Sequence, residues 1–138
     1  MTKKIYIKYQ EIIKYLFFGI LTTIINLITY YILILTILNP NNPLELQISN
    51  TIAWTTSVTF AYITNKKYVF NSKETNIKNE IIKFYSSRVT TLFLDIILMF
   101  IFVTILKLND KIIKLIIAII IIILNYILSK LIVFKKEK

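Results

Sequence analysis

The stretch FYSSRVTTLFLDIILMFIFVTIL, Phe84 to Leu106, decides how this chain folds. A helix needs roughly 20 apolar residues to cross about 30 Å of hydrocarbon, and this run supplies them. It also carries Arg88 and Asp95, seven residues apart on one helical face. A charge deep in a bilayer costs roughly 2.5–3.5 kcal/mol on insertion scales, so such residues face a protein interior or a watery cavity. The stretch is therefore read as a membrane span with a functional stripe.

Three further blocks repeat the pattern. Of the 138 residues 57% are hydrophobic, with one glycine and two prolines, and the apolar residues are grouped rather than dispersed. The expected spans are approximately 15–38, 46–64, 84–106 and 112–134. The second is the most polar, diluted by Asn50, Thr51, Thr55, Thr56, Ser57 and Thr59. Their hydroxyls can bond back to helix carbonyls, so it still qualifies as a helix that faces other helices. The first block is too long for a signal-peptide core and lacks a small-residue cleavage site, so no removable leader is expected.

Cysteine and histidine are both absent. That leaves no disulfide framework, no thiolate nucleophile and little transition-metal chemistry; no metal or cofactor is expected. With a single glycine there is no phosphate-cradling loop, and no nucleophile–base or paired-carboxylate constellation stands out, so an enzyme is not expected.

The net charge of +10 is distributed by loop. Lys3, Lys4, Lys8 and Lys14 precede the first span; Lys66, Lys67, Lys73, Lys78 and Lys83 fill the middle connection; Lys130, Lys135, Lys136 and Lys138 close the chain. The connection Asn39 to Glu45 has no lysine or arginine. The positive-inside rule then puts both termini and the middle loop in the cytoplasm. The basic excess reads as a topology signal and an attraction to anionic membrane lipids, not as nucleic-acid binding.

The chain also repeats itself. Glu11-Ile12-Ile13-Lys14-Tyr15 recurs as Glu80-Ile81-Ile82-Lys83-Phe84, and the same 69-residue offset matches Thr22 to Thr91 and Asn26 to Asp95. At the far end of each half, Ala61 to Phe70 resembles Asn125 to Phe134, an offset of 64. The expected architecture is an all-α membrane protein: one transmembrane domain over 1–138, built of two tandem hairpins near 9–70 and 78–134 in parallel orientation. The lead-ins Lys4–Lys14 and Ile77–Lys83 read as short interfacial helices.

Helical spacing sorts the polar residues into one stripe per span. These are Tyr15, Gly19, Thr22 and Asn26; Asn50, Trp54, Ser57, Ala61 and Asn65; Phe84, Arg88, Thr91 and Asp95; and Lys114, Ala118, Ile121, Asn125 and Ser129. Arg88 lies about one turn inside the cytoplasmic boundary. There it either binds a phosphate drawn into the bilayer or snorkels to the surface. Asp95 and Asn26 lie near mid-membrane; they bond each other and pin the halves together, line a polar path, or serve proton coupling through Asp95. Lys114, at the outer edge, either meets a phosphate or anchors a helix end.

These features resemble the GtrA-like family, four-span membrane proteins of surface-polysaccharide and teichoic acid glycosylation. The resemblance covers nearly the whole chain. It is most specific in Ala61-x-x-x-Asn65-x-x-x-Val69-Phe70 and Asn125-x-x-x-Ser129-x-x-x-Val133-Phe134, with Phe84, Arg88 and Lys114. Asn26 stands where an Asp is common in that family, and Ser129 where a second Asn is frequent. The resemblance implies flipping of a polyprenyl-phosphate-linked sugar across the bacterial cytoplasmic membrane, for use by glycosyltransferases of the same pathway. In that role Arg88 would engage the phosphate, Asn65 and Asn125 the phosphate or sugar hydroxyls, and Lys114 the headgroup outside. The competing reading is a membrane adaptor that recruits such a glycosyltransferase without moving lipid. A multidrug-type exporter ranks lower, because Glu11 precedes the first span instead of lying within it. So thin a bundle is compatible with a homodimer.

Overall fold

The computed structural model describes residues 2–135, and all its regular structure is helical. Lys136 and Lys138, part of the basic cluster that closes the chain, lie outside the described residues. Helix α1 spans Thr2–Thr36, α2 Pro43–Thr64, α3 Ile77–Met99 and α4 Asp110–Leu128. The last three continue without a break into π-helical turns at Asn65–Val69, Phe100–Ile105 and Ser129–Val133. The chain divides between Ser72 and Lys73 into two compact units, each one helical hairpin.

Asparagine starts three of these helices. Asn42, Asn76 and Asn109 each accept a bond from a first-turn N–H, satisfying donors that have no partner within the helix. Pro43 opens α2, where its missing N–H costs nothing, and Glu45 in the first turn accepts from Asn42 Nδ2 at 3.1 Å.

In the first hairpin a stripe of small residues at steps of four, Ser49, Ala53, Ser57 and Ala61, is buried together with Asn65. Small side chains let α1 approach closely. Asn50 is exposed and Trp54 only half-buried, so the packed face of α2 is turned by about one residue from the expected stripe. Gly19 is exposed, and a Cβ there would meet nothing within 4 Å, so it is not on the packed face of α1 either.

The lead-ins are not separate helices. Lys4–Lys14 continues directly into α1, whose 35 residues make about 50 Å of rod at 1.5 Å each, and Ile77–Lys83 is the first part of α3. Neither has a glycine or proline to break it, and an unbroken helix satisfies every internal N–H. By length and composition three helices are apolar enough to cross a membrane: Thr2–Thr36, Ile77–Ile105 and Asp110–Val133. Helix α2, 22 residues long and rich in threonine and serine, is not among them. Its hydroxyls do bond back, Thr51 to Gln47 O, Thr55 to Thr51 O and Thr56 to Ile52 O, each at 2.8 Å.

Candidate functional site

The polar side chains of the second hairpin converge where α3 faces the end of α4. Phe84 is fully buried, with its ring centroid 5.9 Å from that of Phe134. One turn along α3 the Arg88 guanidinium lies over the Phe84 face, Cζ 4.7 Å from the centroid. The i, i+4 spacing makes this contact possible. Thr91, three residues further, places its hydroxyl 3.0 Å from Arg88 O and 2.8 Å from Asn125 Oδ1 on α4. Because Oδ1 accepts that bond, the Asn125 amide N–H groups are turned away from Thr91 and remain donors.

Ser129 lies one turn beyond Asn125 and opens the π turn. Its hydroxyl is fully buried and is the one buried side-chain polar atom without a hydrogen-bond partner among the described residues. Its backbone N–H reaches both Asn125 O and Tyr126 O, and its carbonyl accepts from Phe134 N–H at 2.8 Å, the i to i+5 closure of a π turn. Such turns often mark functional sites. The guanidinium and the amide both donate, and such groups suit an anion with several acceptor oxygens, such as a phosphate.

The first hairpin has the same frame but lacks the guanidinium and the facing amide at the matching positions. Tyr15 and Phe70 lie 6.4 Å apart in the places of Phe84 and Phe134, and Asn65 O accepts from Phe70 N–H at 2.9 Å. Val69 and Val133 are both buried just ahead of these phenylalanines. Here, however, Gly19 replaces Arg88 and Ala61 replaces Asn125, while Thr22 bonds back to Phe18 O at 2.8 Å instead of crossing to the other helix. Asn65, the counterpart of Ser129, is buried.

Asn26 and Asp95 each find a partner within their own hairpin. Asn26 Nδ2 donates to Ser57 Oγ at 3.3 Å. Asp95 takes the Lys114 ammonium on both oxygens, at 2.9 and 3.2 Å. Lys114 therefore already holds an anion. Periodicity placed both residues on inward stripes but did not pair them, because they sit at different heights. With Thr91 level with Asn125, Lys114 lies about 10 Å further along the hairpin than Asp95 at 1.5 Å per residue. Two of the three π turns are signalled in the sequence only by the duplicated Val-Phe exits, and the third by nothing comparable.

A family model described as the GtrA/DPMS transmembrane domain matches residues 14–134. The cell wall teichoic acid glycosylation protein GtcA of Listeria monocytogenes serovar 1/2a is 39% identical over 132 residues, covering 94% of this chain and 88% of that protein. The uncharacterized membrane protein YwcD of Bacillus subtilis is 38% identical over 127 residues, covering 90% and 96%. No solved structure matches. With its three strongly apolar helices, the chain is a multi-pass membrane protein.

Proposed function

Because the chain belongs to the GtrA/DPMS transmembrane family, we propose that it carries a polyprenyl-phosphate-linked sugar across the bacterial cytoplasmic membrane for glycosylation of a cell-surface polymer such as teichoic acid. The observation that carries this reading is Arg88 on the Phe84 face, with Asn125 on the facing helix joined to the same stripe through Thr91. A lipid tail stays in hydrocarbon while its phosphosugar moves along a polar face, so the protein need only stabilise the headgroup. Arg88 takes the phosphate, with Asn125 donating to phosphate or sugar oxygens; Asn65 is a headgroup residue of its own hairpin. Lys114 meets the headgroup at the outer side.

In this reading α2 is the fourth span, the two hairpins are parallel repeats, and both termini face the cytoplasm, where the lysines of the chain ends and the middle connection lie. Glycosyltransferases of the pathway supply or use the lipid-linked sugar, and the reading accommodates a homodimer. The protein performs no chemistry on the sugar.

The adaptor reading draws on one observation. The first turns of α1 expose Ile5, Tyr6 and Tyr9 beside Lys3, Lys4 and Lys8, a surface suited to docking. A single assay separates the two. Purified protein is placed in liposomes with a polyprenyl-phosphate-sugar, and headgroup accessibility at the two faces is followed. Wild type should transfer headgroups faster than Arg88→Ala or protein-free liposomes; equal rates in all three would remove the flippase reading and leave the adaptor.

A further inference from the structure

The Asp95–Lys114 pair is more than the hairpin needs. The helices of the second hairpin are already fastened by Thr91–Asn125 and by the Phe84–Phe134 contact. The first hairpin does without a charge at the matching place: Asn26, the counterpart of Asp95, is fastened by the neutral bond to Ser57. By the 64-residue offset, the counterpart of Ser57 is Ile121, so the second hairpin has an ion pair where the first has a neutral bond. The pair is also open, with the Lys114 side chain 55% exposed and that of Asp95 25%. Lys114 reaches back along the hairpin to form it. An extended lysine loses rotamer freedom in such a contact.

We propose that Asp95 is a resident counter-ion for an anion site at Lys114, which the phosphate of a lipid headgroup takes over by exchange. The ammonium has three N–H donors, two of them on the carboxylate, and a phosphate presents oxygens of the same kind with more charge. Between substrates the carboxylate keeps Lys114 neutralised and drawn inward, so the site does not stand as a bare cation in a span. A headgroup coming along the α3 stripe from Arg88 meets Asp95 next and Lys114 last. Asp95 thus sets how tightly the far end of the path holds phosphate. This rests on the lipid-phosphate reading above.

The test is binding, not transport. Detergent-solubilised full-length protein is titrated with farnesyl phosphate, inorganic phosphate and farnesol, for wild type, Asp95→Asn, Lys114→Ala and the double variant. Asp95→Asn should bind farnesyl phosphate several-fold more tightly than wild type. Lys114→Ala should bind more weakly, and adding Asp95→Asn to it should restore nothing. Inorganic phosphate should respond in the same direction but more weakly, and farnesol not at all. If Asp95→Asn does not fold, Asp95→Asn with Ile121→Ser reproduces the Asn–Ser bond of the first hairpin and takes its place. Unchanged or weaker binding in the Asp95 variant, or the same gain without Lys114, overturns the counter-ion role while wild-type binding keeps the lipid-phosphate reading. A larger gain for inorganic phosphate than for farnesyl phosphate makes the ligand a free anion and overturns the headgroup assignment. No farnesyl phosphate binding in any variant overturns both.

Discussion

Thr91 and Asn125, on facing helices of the second hairpin, are joined by a hydroxyl-to-amide-carbonyl bond of 2.8 Å. It fixes which way the Asn125 amide points, since only its Oδ1 can accept from Thr91. Bonds of this kind between membrane helices average about 0.6 kcal/mol, a small part of what holds a hairpin together. Thr91→Val should therefore leave thermal stability within about 1 kcal/mol of wild type. It should nevertheless slow headgroup transfer several-fold by freeing the amide to turn. Loss of folding without that separation would make the bond structural.

Arg88 over Phe84 gives a second expectation. The cation–π contact is worth about 0.5–2 kcal/mol, depending on desolvation, and it requires a flat ring. Phe84→Leu keeps the site apolar but removes the ring face, so it should weaken phosphate binding together with some stability. Arg88→Lys keeps the charge but loses the planar fork that matches a phosphate edge, and it should recover only part of the wild-type transfer rate. Full activity in Arg88→Lys would reduce the residue to a point charge.

Much of this arrangement was legible in the sequence, for identifiable reasons. Thr91, Asp95, Asn125 and Ser129 were assigned to inward stripes because polar residues in an apolar helix stand out against their background. On α2 the background is itself polar, and the stripe was drawn through Asn50 and Trp54 when the packed face runs through Ser49 and Ala53. Small size, which permits close approach, selected that face; polarity did not. Gly19 was set facing inward by its offset from Arg88, but it is exposed. The Asp95–Lys114 pair eluded periodicity because a long lysine reaches across two turns of the helix ladder.

The small-residue stripe has its own test. Ala53 is buried where α2 approaches α1, so Ala53→Leu adds volume to a filled space and should cost roughly 1–3 kcal/mol. Gly19→Ala is the control on the open face of α1. It should cost nothing and gain up to about 1 kcal/mol of helix propensity. Chemical denaturation in detergent reads both variants. An unstable Gly19→Ala would mean that another surface covers that face.

The π turn at Ser129–Val133 makes the last prediction, because such a turn amounts to one extra residue in a helix. Leu131 is exposed within it, so Leu131→Ala should be nearly neutral. Deleting Leu131 should instead let the turn relax to α-helix and swing all that follows by about 100° at 3.6 residues per turn. Val133 and Phe134 would then leave the interior, and Phe84 would lose the ring it packs against. Exposing so large a side chain forfeits about 1.5–3 kcal/mol. The deletion should also unseat Arg88, whose guanidinium rests on the Phe84 face. Deleting Lys67 from the Asn65–Val69 turn should displace Phe70 from Tyr15 in the same way but leave the Arg88 platform intact. Thermal melts and farnesyl phosphate titrations on the two deletions should therefore differ: both lose stability, but the Leu131 deletion loses more phosphate affinity. Equal losses of affinity would contradict placing the donor set in the second hairpin.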